Sequence, residues 1–206
     1  MNDFAIISDP LPIKKIQKNT NLKVTKLGNN FSAISDKETD FMYCKDSNSF
    51  IFFKGTIVNK EEIALLYKLK ETSSLSIIST LYKKNKKDFF KDFNGNFSIV
   101  IVKNNREVFA LTDHVGISPI FYGKKDQINF FSTSLRLLKS IWTNLEIDED
   151  ILRDYLVQSY PRLGRTIYRD INVLKGGYSL KHTENNTKID RYFDITKIKK
   201  KISSII

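Results

Sequence analysis

The sequence predicts an α+β layered fold with mostly antiparallel sheets, on three observations. A clear hairpin signature joins 98–102 to 107–112 through Asn104-Asn105. Two successive stretches of helical spacing interrupt strand-like runs. The order is strands, two helices, a strand meander, helices and more strands, without an internal repeat. At 206 residues, 41% of them hydrophobic, the chain can bury one good-sized core.

Phe4, Ala5, Ile6 and Ile7 form an apolar run stopped by Asp9-Pro10, the mark of a strand buried on both faces. Leu22 and Val24, Phe31 and Ala33, and Met42 and Cys44 alternate weakly, suggesting short strands within 13–48. Residues 50–53 predict a stronger strand, ending in a turn at Lys54-Gly55. Asn59 followed by Glu62 has capping-box logic for a helix burying Ile63, Leu65, Leu66 and Leu69. A second helix starts at Ser73 or Ser74 and buries Leu75, Ile78, Leu81 and Tyr82. After the hairpin come strands at 120–122 and 128–132, then helical spacing at Leu135, Leu138 and Ile141. Asp148-Glu149-Asp150 place negative charge at the start of a helix through Leu152, Leu156 and Val157. Gly176-Gly177 opens a last hairpin, 178–181 with 189–193, and 195–206 reads as a linker or tail.

The net charge of +11 invites a nucleic-acid reading, but the lysines are scattered. The clusters 83–87 and 197–201 lack interleaved aromatics for base stacking, so nucleic acid is not an expected partner. Cys44 is the single cysteine, which rules out an intramolecular disulfide and a cysteine-based zinc site and fits a cytoplasmic location. The 4–7 run is too short for a signal or membrane segment. His114 and His182 show no metal-binding spacing.

Five motifs follow one another at characteristic spacing. They are Phe93-Asn94-Gly95-Asn96-Phe97 before a hydrophobic strand; Asp113-His-Val-Gly116-Ile-Ser-Pro119-Ile-Phe-Tyr122; Phe131-Ser-Thr-Ser134; Arg165-Thr-Ile-Tyr168 with Lys175-Gly-Gly-Tyr178; and Arg191-Tyr-Phe-Asp194. Singly, Gly95 and Gly116 would only mark turns and Pro119 a strand start. Together they resemble the class II glutamine amidotransferase domain of asparagine synthetases, strongly from Phe50 to Asp194 and faintly before it. The resemblance implies an Ntn-hydrolase-like αββα sandwich over 1–194.

In that family, the resemblance implies, glutamine is hydrolysed by a cysteine made N-terminal by loss of methionine, so that its own amine assists the thiol. Asn2 stands at that position, and Met1 should remain before so large a side chain. Ser8, Thr20 or Cys44 could replace the nucleophile only if cleavage removed the first strand. The pocket is degenerate as well: the family's Asn-Gly-Glu aligns with Lys54-Gly55-Thr56, which puts a cation in place of an amide. Its substrate-pairing aspartate aligns with Ser74, and no paired arginines lie within 30–49.

The expected function is therefore a catalytically inactive scaffold in an asparagine-synthetase-like, ATP-dependent amide-forming system. Loss of the cysteine resembles lasso-peptide cyclases and β-lactam-forming synthetases, which need no ammonia. ATP and Mg are expected only in a partner synthetase domain, fused or separate, packed against 113–119 and 132–136 around Ile117, Ile120 and Phe121. The alternative is a repurposed pocket that binds a small ligand or a peptide, with Lys54 offering a cation to a carboxylate.

Overall fold

Strand-forming alternation produces most of the molecule. The computed structural model describes residues 3–9, 22–35, 39, 41–84, 89–159, 164–184 and 186–197. The strands are β1 (Phe4–Ser8), β2 (Lys23–Lys26), β3 (Phe31–Ser35), β4 (Phe41–Cys44), β5 (Ser49–Ile57), β6 (Gly95–Lys103), β7 (Glu107–Thr112), β8 (Ile120–Lys125), β9 (Ile128–Ser132), β10 (Ile171–Leu174), β11 (Tyr178–Thr183) and β12 (Asn186–Arg191). They form two sheets, ordered β10-β8-β9-β1-β3-β2 and β12-β11-β7-β6-β5-β4. Every pairing is antiparallel. The helices are α1 (Lys60–Tyr67), α2 (Ser74–Lys83), α3 (Leu135–Ile141) and α4 (Glu149–Gln158).

Three apolar layers bind these elements into the expected αββα order. Phe4, Ile6, Phe52, Val100, Val108 and Leu180 pack between the sheets. Their strand neighbours Ile51, Ile99, Ile101 and Leu111 face Ile63, Ile77, Ile78 and Leu81 of α1 and α2. Ala5, Ile7, Ile34 and Phe130 meet Leu137 and Leu138 of α3. β1 thus divides its residues between two layers, which is why its sequence is apolar without alternation. In the β6–β7 turn both Asn104 and Asn105 take left-handed φ, of 49° and 55°, a conformation asparagine tolerates.

Several expectations need correction. No turn forms at Lys54-Gly55: β5 runs on to Ile57, with Gly55 opposite Phe97 and Ile57 opposite Gly95. At this crossing a Cβ on Gly55 would lie 2.0 Å from the Asn96 carbonyl oxygen, and one on Gly95 would lie 2.1 Å from that of Thr56. The glycines permit close backbone approach rather than a turn. The capping box at Asn59 is also absent, for its side chain makes no cap bond. It bridges the backbone before β6 instead, accepting from Asn94 N at 2.9 Å and donating to Asp92 O at 2.9 Å.

The α1 stripe is shifted: Ile63 and Ala64 are buried, whereas Leu65 and Leu66 are 80% and 65% exposed. Leu156 and Val157 of α4 likewise face outward. β10 was not expected, because its four residues show no alternation that a sequence could reveal. Ser73, by contrast, caps α2 as its position suggests, accepting from Ser76 N. Of the tail, Ile195–Lys197 forms a 3-10 turn, and 198–206 lies outside the described residues. Among the described residues no helix is long and apolar enough to cross a membrane.

Candidate functional site

The register of the sheets brings several of the sequence-derived positions to one end of the sandwich. β9 ends beside the start of β1, since Thr133 N donates to Phe4 O at 2.9 Å and Thr133 Oγ1 accepts from Phe4 N at 3.1 Å. β8 begins there too, with Phe121 opposite Ser132. Pro119 precedes β8 at this same end. On the facing sheet, even-numbered β5 residues point between the layers, and the last of them before the Gly55 crossing is Lys54.

The Lys54 ammonium donates to Oδ1 of Asp3 at 2.6 Å, and the Asp3 side chain is only 6% exposed. Thr133 Oγ1 donates to the same oxygen at 3.4 Å. The Arg136 guanidinium stands 4.0 Å from Oδ2, although its own side chain is mostly in solvent. Among the described residues, a carboxylate drawn out of water thus meets a half-buried cation, a hydroxyl and an outer cation, a charge-assisted set stronger than neutral bonds. Lys54, expected to offer its charge to a ligand carboxylate, has a carboxylate of the chain itself as partner.

Asp113 anchors the neighbouring loop in another way. Its Oδ1 accepts from the backbone amides of Val115 (3.0 Å), Gly116 (2.7 Å) and Ile117 (3.1 Å). Its Oδ2 accepts from Ser118 N at 2.9 Å and Phe97 N at 3.3 Å. This nest fixes the loop and pins it to β6. Gly116 (φ 79°) lies where a Cβ would come within 2.9 Å of Gly176 N, so the loop presses on the 176–177 turn. Gly177 N donates to Asp113 O at 2.8 Å, and Gly177 O accepts from Tyr192 N and Phe193 N. The motifs at Gly95, Asp113, Gly176 and Tyr192 therefore form one connected clamp.

His114 stacks on Phe193 at 3.9 Å, and burial pushes its pKa below the usual value. Burial, aided by the positive charge of Lys124, does the same to His182, whose Nδ1 lies 2.8 Å from Thr187 Oγ1. Tyr192 donates to Thr112 O at 2.5 Å, and burial pushes its phenol upward. Among the described residues no group of three or more His, Cys, Asp or Glu could hold a metal ion.

The other sequence-derived candidates separate. Asn2 and Thr20 lie outside the described residues. Ser8 Oγ accepts from Asn129 N at 2.8 Å. Cys44 is buried, with its Sγ 3.0 Å from Ser79 Oγ on the opposite side of the second sheet from Lys54. Ser74 is the first residue of α2, directly after its cap. Asn94 contributes backbone, its N–H to Asn59 and its carbonyl to Val58 N. Asp3, Thr133 and Arg136 were not singled out from the sequence. An acid directly before a strand apolar on both faces was the available signal, since such a charge must find a partner.

The four-layer αββα sandwich with this motif clamp defines an Ntn-type amidotransferase fold. The chain belongs to the family described as "Glutamine amidotransferase domain", whose profile matches residues 18–193. It is 33% identical to asparagine synthetase [glutamine-hydrolyzing] 2 of Bacillus subtilis over 100 residues, which is 47% of this chain and 13% of that one. To asparagine synthetase [glutamine-hydrolyzing] 1 of the same organism it is 25% identical over 118 residues, 54% of this chain and 19% of that one. The chain therefore spans less than a fifth of these relatives. Glutamine phosphoribosylpyrophosphate amidotransferase from B. subtilis superposes with a TM-score of 0.57 at 12% identity, covering 92% of this chain and 43% of that one. A glutamine aminotransferase class-II domain protein from Silicibacter pomeroyi does so at 0.51 and 7%, covering 93% and 98%.

Proposed function

We propose that this domain is a non-hydrolysing glutamine-amidotransferase scaffold in an asparagine-synthetase-like, ATP-dependent amide-forming system. The observation that carries this reading is the Asp3–Lys54 ion pair at the head of β1. Glutamine hydrolysis needs a nucleophile with a base beside it, and hydrogen-bond donors held ready for the oxyanion. Asn2 and Asp3 supply neither thiol nor hydroxyl before β1. Lys54, in place of the family's amide, is drawn onto Asp3 rather than held ready for substrate. Ser74 carries no charge to grip the α-amine of an amino acid.

The intact clamp around Asp113 supports a retained architectural role. Its loop presents Val115 and Ile117 at 60% and 65% exposure, an apolar centre suited to packing against a synthetase domain. Ile120, expected there as well, is fully buried in the inter-sheet core. ATP and Mg would belong to the synthetase partner, and a substrate bearing its own amine, as in peptide macrolactam formation, would need no ammonia from this domain.

Incubating the purified chain with glutamine tests the reading through coupled detection of glutamate and ammonia. Release no faster than in buffer is expected. Robust release that disappears on changing a named residue such as Cys44→Ala or Ser8→Ala would overturn it.

A further inference from the structure

The inter-sheet core gives way to polar groups at the end of the sandwich opposite Asp3. Along β8 the residues facing between the sheets run Ile120, Tyr122, Lys124; along β9 they run Phe131, Asn129; along β11 they run Leu180, His182. Each series leaves the apolar layer in the same direction. Lys124 pairs with Asn129 close to the β8–β9 turn, and His182 pairs with Val108 close to the β6–β7 turn. A cavity of about 260 Å³ opens where the three series end. The Asp3 cluster lies at the other end of the same strands, so nothing here rests on the glutaminase question.

The lining is rich in hydrogen-bonding groups and, among the described residues, holds no acid. His182 is 8% exposed and brings its Nδ1 within 2.8 Å of Thr187 Oγ1. Its Nε2 has no partner among the described residues, nor have the Lys124 ammonium, the Tyr122 hydroxyl and the Asn129 side-chain amide. Phe131 backs the imidazole, with ring centroids 5.4 Å apart. Lys124 is the one charged residue of the described lining, and burial together with its ammonium keeps the His182 pKa below the usual value. A nearly buried imidazole and an ammonium thus share a space in which the chain supplies neither with a carboxylate.

We propose that this cavity binds a small organic carboxylate, its oxygens toward Lys124, His182 and Tyr122 and its carbon skeleton against Phe131. The permanent charge of the lining is a single ammonium, which matches a monoanion, whereas a phosphate dianion calls for a second fixed cation. The volume lies below the range of about 300–1,000 Å³ typical of pockets for drug-sized ligands, which selects a small acid over a nucleotide. A carboxylate seated there favours the imidazolium and so raises the His182 pKa.

The test is NMR of the two histidine side chains in the native chain, with acetate, hexanoate and benzoate as probes. At least one probe should shift the His182 ring signals saturably and raise the pH at which that ring titrates. The His114 signals, from the Asp113 end of the sandwich, should stay in place. Lys124→Gln should weaken binding by about tenfold or more. Lys139→Gln, the same charge change on α3, should bind as the native chain does, and unchanged thermal midpoints establish that both variants are folded. The proposal is overturned if no probe moves the His182 signals, if the corresponding amides move them equally, if the two variants bind alike, or if inorganic phosphate binds as tightly as the best carboxylate. The end of a peptide is the other source of a carboxylate. N-acetylalanine should bind at least as tightly as trialanine, and the reverse overturns the assignment to a small molecule.

Discussion

Two buried carboxylates at the same end of the sandwich are satisfied in opposite ways. Asp113 is fully buried and, among the described residues, accepts only backbone amides, from four residues of its own loop and from Phe97 on the adjacent strand. Among the described residues Asp3 is met by the side chains of Lys54, Thr133 and Arg136. Every residue except proline carries a backbone donor, so the Asp113 nest persists as long as the chain path does. Side-chain donors are residue choices, which substitution can exchange without disturbing the path. The difference explains why the Asp113 loop depends little on the choice of neighbouring side chains, whereas the Asp3 cluster depends on it directly.

The largest expected effect tests the backbone-held partner. Asp113→Asn turns an NH2 donor toward backbone N–H donors and leaves at least two of them unsatisfied, and should cost about 4 kcal/mol in urea unfolding. A smaller loss than for Asp3 variants would break the comparison. Asp3→Asn, which strands a half-buried Lys54, should cost about 2–3 kcal/mol. The combination Asp3→Leu with Lys54→Met should recover most of that loss, because an apolar pair removes the desolvation penalty of both charges. No such rescue exists for Asp113, and a double-mutant cycle in the same assay measures the contrast.

Asn59→Ala should cost about 1 kcal/mol, since the side chain bridges two backbone groups ahead of β6 rather than capping α1. Its effect should appear in the protection of amides near Asn94 and not in α1 helicity.

The smallest effect is on pH dependence. Burial holds the pKa of His114 and of His182 below the ordinary 6.5. The unfolded chain then takes up protons more readily, so stability is full above pH 6.5 and falls as acidity increases below it. Urea midpoints should decline from neutral to mildly acidic pH, and His114→Phe should flatten part of that slope. At the alkaline end Tyr67, pushed up to about 12 chiefly by its hydrogen bond to Asp92, opposes this trend: its contribution is lost as pH rises from 10 toward 12.

Periodicity and turn chemistry made much of the framework legible. The β6–β7 hairpin announced itself through Asn104-Asn105, β1 through an unbroken apolar run, and α2 through its serine cap. Local rules failed where a partner distant in sequence overrode them. Asn59 and Glu62 satisfy the capping-box pattern, but the backbone at Asp92 and Asn94 claims the Asn59 side chain. Gly55 reads as a turn because permissive φ is all a sequence can infer from a glycine, whereas its need comes from a strand forty residues away. Leu65 and Leu66 read as buried because hydrophobicity does not say which side of a short helix has a neighbour.

The sequence by itself determined the layered class, the family motifs and the absence of a thiol or hydroxyl at Asn2 and Asp3, since these depend on residue identity and local spacing. Only the tertiary structure decided that Lys54 closes on Asp3 and that Asp113 gathers amides from a loop and a strand. Each joins groups brought together by sheet register and layer packing, and no local spacing encodes such distances.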